Sequence, residues 1–441
     1  MTHRFSEARY GIDMNNRMGL AGAVSIGVGT MIGASIFSVF GLGARVAGHN
    51  LPLVFFCSGL IALLVAYSYA TLGSKVVSNA GPIEFVLKAF GDGTIAGALS
   101  ILTWLTYVVS IALFAKGFAG YLLPAVGLSA SPVRSALVQG VVIALFVAVN
   151  LFGAKAVGRA EFYIVFFKLT VLTLFVVLGV WTVNPEWIAP HFRSADVSGT
   201  LNATAIFFLS YMGFGLITNA SENIERPKLN VPRAIYLSIL IVTVIYVSVA
   251  IIAFGNLPLD RLIAAEDNAL AAAAAPLLGR AGYLLVSIGA LASIGSALNA
   301  TLYGGANIAY ALAKEGELPE FFQRKSWFRA PEGLYLTAGL GLMFALLFNL
   351  NGIASITSAV FMVIYLFVLL SHYRLVGQYG GRRIVVVAAI IAVATVFLIL
   401  MRYQWLTNRM ALYSTLITLA ASVILEIVYR SITRRVLKTR T

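Results

Sequence analysis

Apolar positions in this chain fall in long unbroken runs, such as VVIALFVAVNLF and LSILIVTVIYVSVAIIAF, and not in ten-residue alternating segments. Such runs match the roughly 20 residues an α-helix needs to cross about 30 Å of hydrocarbon. In lipid a segment must satisfy its own backbone N–H and C=O groups, and a continuous run does so as a helix. The pattern predicts twelve spans, at about 18–45, 51–75, 94–122, 133–153, 159–183, 201–221, 232–255, 280–313, 333–350, 352–376, 382–402 and 409–430. The connections 258–279 and 314–332 are long enough to hold short helices. The expected fold class is an all-α polytopic membrane protein with 12 transmembrane helices.

Composition agrees with that solvent. The chain is 60% hydrophobic and 11% charged, against about 25% charged in soluble domains. Its net charge of +14 would suit a nucleic-acid partner, but the distribution favours another cause. An even number of spans puts both termini on one side. That side collects 22 of the 31 Lys and Arg residues, eight fall opposite, and Lys168 lies inside. The positive-inside rule makes the richer side cytoplasmic, so no nucleic acid is expected as a partner. The polar start MTHRFSEARYGIDMNNR has no signal-peptide core, which leaves targeting to the first span. Cys57 is the single cysteine, and His3, His49, His191 and His372 are scattered, so neither a disulfide nor a metal set is expected; no cofactor is implied.

Two spans carry glycines near their middles: Gly27, Gly29 and Gly33 in the first, and Tyr211-Met-Gly-Phe-Gly215 in the sixth. Glycines also serve close helix packing. Two interrupted spans five apart, however, point to an inverted-repeat transporter with its site at the bilayer midplane. Broken helix ends expose backbone dipoles: amides after Gly29 would hold a carboxylate and carbonyls an ammonium, which suits a free amino acid. Lys168 lies nine residues from Arg159, about 14 Å along a helix and near the centre of the hydrocarbon. An amine there takes the place of a cation and can load and unload a proton, so proton coupling is expected and sodium is not. Ser293, Ser296 and Asn299 share one stripe of the eighth span as polar partners. Trp104, Tyr107, Phe207, Tyr211 and Phe214 are aromatics placed to line or gate a cavity, although core packing alone would also explain them. The charged stretch Glu222–Arg233 forms a turn ended by Pro232.

At these residues the sequence resembles the amino acid-polyamine-organocation (APC) superfamily, and most closely its archaeal proton-coupled, broad-specificity branch. The resemblance rests on Gly27-Val-Gly-Thr-Met-Ile-Gly-Ala-Ser-Ile-Phe37, Asn79-Ala-Gly-Pro82, Gly158-Arg-Ala-Glu-Phe162, Phe208-Leu-Ser-Tyr-Met-Gly-Phe214, Asn230-Val-Pro-Arg-Ala-Ile235 and Lys314-Glu-Gly-Glu-Leu-Pro319. It implies a LeuT-type 5+5 inverted repeat with discontinuous helices 1 and 6. The parts would be an arm at 1–17, repeats at 18–183 and 201–376, two extra helices at 382–430 and a tail at 431–441. It also implies roles. Ile26, Gly27 and Gly29 would offer carbonyls, Ile32, Gly33, Ala34 and Ser35 amides, and Phe207, Ser210 and Gly213 would face the substrate. Lys168 would act beside the Gly29 carbonyl and Ser293. Ser35 and Gly215 depart from the residues many members carry, glycine and an acid respectively; the loss of the acid weakens a dibasic or polyamine substrate.

The reading is thus a proton-coupled amino acid symporter of the cell membrane, multi-pass with cytoplasmic termini, working by alternating access on free amino acids and protons within the lipid bilayer. An exchanger or uniporter of amino acids or organic cations is the rival within transport. A membrane sensor of amino acids is the rival from another class, disfavoured by tails as short as 1–17 and 431–441. No nucleophile–base pair, metal motif or phosphate loop is present to support an enzyme.

Overall fold

The structure is a computed structural model that describes residues 18–33, 35–78, 81–151, 154–314, 322 and 332–433, with backbone only at 154–162, 311, 314 and 433. Ala34, the arm 1–17, the tail from 434, Asn79, Ala80 and Glu315–Pro319 lie outside the described residues, as do the side chains of the Gly158–Phe162 motif.

Regular structure among the described residues is helical, apart from one isolated parallel bridge pairing Met18 with Ile224. The first span is divided into α1 (Leu20–Met31), α2 (Ser35–Ser38) and α3 (Phe40–Ala47), and α4 (Leu51–Gly73) is the second. A short helix α5 (Pro82–Phe90) precedes α6 (Thr94–Ala125), the third span; α7 (Pro132–Leu151) and α8 (Ala154–Gly179) are the fourth and fifth. The sixth joins α9 (Ser194–Phe207), a 3₁₀ stretch (Phe208–Gly215) and α10 (Leu216–Asn219). Then come α11 (Pro227–Asn256), a short α12 (Leu259–Ala264), α13 (Ala269–Lys314), α14 (Glu332–Leu347), α15 (Leu350–Tyr379), α16 (Arg383–Thr407) and α17 (Arg409–Thr433).

Among the described residues, eleven stretches are long and apolar enough to cross a bilayer, and Glu332–Leu347 is a shorter apolar helix. Together they match the twelve predicted spans. Boundaries differ where proline or glycine chemistry outweighs hydropathy. α11 begins at Pro227, not Pro232: proline fits a first helical turn, and Pro232 is accommodated inside. The eighth span agrees with its predicted start: α13 is kinked at Leu278 and Gly279, where Gly279 takes φ +59°, so the span proper starts at Arg280. α12 is a short helix in the predicted connection 258–279.

The spans pack as a bundle around the two interrupted ones. α1 lies on α11 and on the 3₁₀ stretch, while α9 and the 3₁₀ stretch lie on α4. α6 contacts α13, α14 and α15; α13 contacts α7 and α8; α8 also meets α11, and α4 meets α15. α16 and α17 sit outside, on α15, α4 and α6. Exposed apolar side chains concentrate on such outer helices, as with Ile384, Leu398, Met410 and Ile417, which is the arrangement lipid requires.

One buried charge cluster pins the outer layer. Arg430 Nη2 donates to Asp92 Oδ1 (2.6 Å) and its Nε to Glu426 Oε1 (3.1 Å). The Glu426 side chain is fully buried. Removing the cation takes a charge-assisted hydrogen bond from a buried carboxylate, a contact worth about 1.5–3 kcal/mol. Arg430→Met is therefore expected to lower the melting temperature in detergent markedly, and Glu426→Gln with Arg430→Met to recover part of the loss.

Candidate functional site

The interruption in the first span begins where Ile32 leaves helical geometry (φ −82°, ψ +46°). It falls at Ile32 and Gly33, at the C-terminal edge of the glycine cluster, and α1 runs unbroken through Gly27 and Gly29. Carbonyls around it are answered by side chains of other spans, as buried backbone in lipid demands. Lys168 Nζ, fully buried on α8, donates to the Gly29 carbonyl. Tyr246 Oη on α11 donates to Met31 O (2.5 Å), and Ser35 Oγ lies 2.8 Å from Tyr246 Oη and 2.9 Å from Met31 O. Ser293 Oγ on α13 donates to Ile32 O (2.6 Å), with Gly33 O at 3.2 Å.

The sixth span is tightened at its centre, not unwound. Eight residues, Phe208–Gly215, form the 3₁₀ stretch, longer than the three or four residues such helices usually sustain and a mark of a hinge or strain. Thr30 Oγ1 bridges the two interruptions, lying 2.6 Å from Ile26 O, 3.1 Å from Gly27 O and 3.2 Å from Gly213 O. The Tyr365 hydroxyl on α15 donates to Met212 O (2.9 Å). Ser210 Oγ is buried without a hydrogen-bond partner among the described residues, and Ser210 O lies 3.5 Å from Tyr246 Oη.

Between these elements lies a cavity of about 160 Å³, roughly ten times the space one water needs. Its lining comes from the first, second, third, sixth, eighth and tenth spans and from Pro82 of α5, and none of the described lining residues is charged. The cavity reaches Pro82 and Asn219. That end of the molecule also holds the Met18–Ile224 pair and the reciprocal contacts of Ser78 with Ser221 (3.0 and 3.2 Å). Toward the other end the bundle is closed by aromatic packing, including Phe55 edge-on to Phe207 at 5.3 Å and Phe37 edge-on to Tyr121 at 6.2 Å.

Of the residues singled out in sequence, Gly29, Ser35, Gly213 and Tyr107 line this cavity. Ile26 and Gly27 offer carbonyls to Thr30, and Gly27 packs against Ser238 and Ile217. Ile32 and Gly33 are the break itself, and Ser210 lies behind it. Phe207 is buried against Phe55. Trp104 is tied to Thr337 Oγ1 (3.0 Å) and packs on Phe322. Tyr211 donates to Phe55 O (2.8 Å), and Phe214 stacks on Tyr365 at 5.5 Å. The polar stripe of the eighth span divides: Ser293 serves the break, whereas Asn299 Oδ1 accepts from Asn150 Nδ2 (2.8 Å). Sequence reasoning missed Tyr246, Thr30, Ser110, Thr301 and Tyr365. Tyr246 left a signal, the one tyrosine inside the apolar run LSILIVTVIYVSVAIIAF.

A multi-pass helical bundle holding an uncharged, backbone-lined cavity at interrupted helices is the build of a membrane transporter. Sequence comparison agrees: the amino acid permease family profile matches residues 18–429, and the chain belongs to that family. It is 60% identical to an uncharacterized protein of Methanocaldococcus jannaschii over 421 residues, 96% of this chain and 97% of that one. It is 34% identical to the inner membrane transport protein YbaT of Escherichia coli over 365 residues, 82% and 84% of the two chains. With the branched-chain amino acid permease BcaP of Lactococcus lactis it shares 26% over 388 residues, 81% of each. The family, YbaT and BcaP are transporters, not enzymes.

Proposed function

We propose that the protein is a proton-coupled symporter of free amino acids, independent of sodium, that works by alternating access in the cell membrane. The observation that carries this reading is the contact between Lys168 and the Gly29 carbonyl at the edge of the substrate cavity. An amine there stands where a sodium ion would otherwise bridge the fifth span to the interrupted first. Ammonium holds the carbonyl by a charge-assisted bond and neutral amine by a weaker one. Proton loss then loosens the fifth span from the first, biasing the bundle toward its other-facing state.

The packing supports a LeuT-type 5+5 inverted repeat. Exchange each of spans one to five with its counterpart in six to ten. The first-on-seventh contact becomes sixth-on-second, third-on-ninth becomes eighth-on-fourth, third-on-tenth becomes eighth-on-fifth, and fifth-on-seventh becomes tenth-on-second; every one of these contacts is present. A pseudo-two-fold axis requires that pattern. The excess of Lys and Arg assigns the end reached by Pro82 and Asn219 to the cytoplasm. The cavity is then inward-facing, with both termini cytoplasmic. An uncharged lining disfavours organic cations.

The test is uptake of labelled alanine into proteoliposomes under an imposed pH gradient, with and without sodium. Accumulation driven by an inward proton gradient without sodium is expected. Uptake that needs sodium, or that ignores the gradient, overturns the coupling.

A further inference from the structure

The cavity contains hydroxyl groups that no described residue uses. Several of its threonines spend their protons locally: Thr103 Oγ1 on Leu99 O (2.7 Å), Thr106 Oγ1 on Thr103 O (2.5 Å) and Thr357 Oγ1 on Ile353 O (2.7 Å). Tyr107, Ser110 and Thr301 line the same cavity, and their hydroxyls have no hydrogen-bond partner among the described residues. Each is free both to donate and to accept.

Their places follow from two close approaches. A Cβ built on Gly33, in the break, would stand 3.1 Å from Ala297 Cβ and 3.7 Å from Phe114 Cε1. A Cβ on Gly304 would stand 2.7 Å from Tyr107 Cε1. α6 and α13 therefore run antiparallel, with Phe114 level with Ala297 beside the break and Tyr107 level with Gly304 about 10 Å farther along. Ser110 and Thr301 lie between these levels, both in the cavity lining and about one turn from the break. Ala297 and Ala300, both in the lining, leave that turn open.

We infer that Ser110, Thr301 and Tyr107 form a side-chain subsite selecting neutral amino acids with a hydroxyl or carboxamide over their apolar isosteres. The inference rests on the head-group reading above: with the substrate's backbone at the break, its side chain points along the gap toward these hydroxyls. A hydroxyl or carboxamide replaces the water they would otherwise bind, whereas an apolar group of the same shape leaves them dry and unpaired. A charged side chain would be buried without a counter-charge, since none of the described lining residues carries one.

The experiment is inhibition of labelled alanine uptake in proteoliposomes, comparing threonine with valine and glutamine with methionine, each pair matched in size. Wild-type protein is expected to need about fivefold less threonine than valine for half-inhibition, the worth of one hydrogen bond. Ser110→Ala and Thr301→Val should each lower that ratio, the double variant should bring it to about one, and Thr301→Ser should restore it. The ratio is read within one preparation, so it does not depend on how much protein folds, and the single variants answer if the double is inactive. A wild-type ratio at or below one, or a ratio unchanged in both single variants, overturns the subsite. Wild-type liposomes that take up no alanine at all would instead overturn the amino acid reading beneath it.

Discussion

Lys168→Ala is expected to reduce pH-gradient-driven amino acid uptake to background while leaving the helices assembled. The side chain is fully buried, and its ammonium answers the Gly29 carbonyl one turn before the break. Truncation removes the one Lys or Arg that the span assignment places inside the membrane, and with it the group whose proton, in the proposed mechanism, alters how the fifth span holds the first. The carbonyl left without that donor costs about 1–3 kcal/mol. Loss of a buried charge offsets part of that, so the fold should survive. Lys168→Arg separates the bond from the proton. Guanidinium keeps a donor near Gly29 but does not deprotonate in proteins, so proton-driven accumulation should be lost although substrate still binds. The pair of variants is read by uptake with and without a pH gradient, alongside ligand-induced thermal stabilisation in detergent. Wild-type accumulation by Lys168→Ala would remove the lysine from the mechanism.

Much of this architecture is written in hydropathy, because lipid leaves a chain so few options. The spans, the interrupted first helix and the burial of Lys168 follow from apolar runs, glycines and spacing. Finer features turn on competition that a linear pattern does not display. The glycine cluster marks the weak region, but the break settles at Ile32 and Gly33, where Ser293 supplies a donor from a helix some 260 residues away. The glycines of the sixth span point to an opening; the chain tightens into 3₁₀ geometry there, and Tyr365 and Thr30 bind its carbonyls. Serines and threonines within a span look alike in sequence, since each is able to bond its own helix. Only the partners distinguish Thr103, which does so, from Ser110, which does not. Trp104 and Tyr107 illustrate the same limit: three residues apart on one helix, the first is committed to Thr337 and the second faces the cavity.

Gly213→Ala is expected to cut uptake at least about tenfold through a rise in KM together with a fall in maximal rate. The new Cβ would stand 2.6 Å from Thr30 Oγ1, 2.8 Å from Thr30 Cβ and 2.7 Å from the Met31 backbone nitrogen. A side-chain end is able to swing away from such an approach, but the Met31 amide is fixed by the last turn of α1. The two interrupted segments must therefore separate, and overpacking of this kind costs about 1–3 kcal/mol. In the proposed mechanism that separation widens the place where a substrate's carboxylate and ammonium are gripped together, so binding and the subsequent closure both suffer. Gly339 on α14 provides the control, since a Cβ there meets nothing within 4 Å. Gly339→Ala should transport like wild type and gain slightly in helix stability. If Gly213→Ala carries substrate with unchanged KM while its melting temperature falls, the contact between the first and sixth spans is structural packing and the substrate lies elsewhere in the cavity.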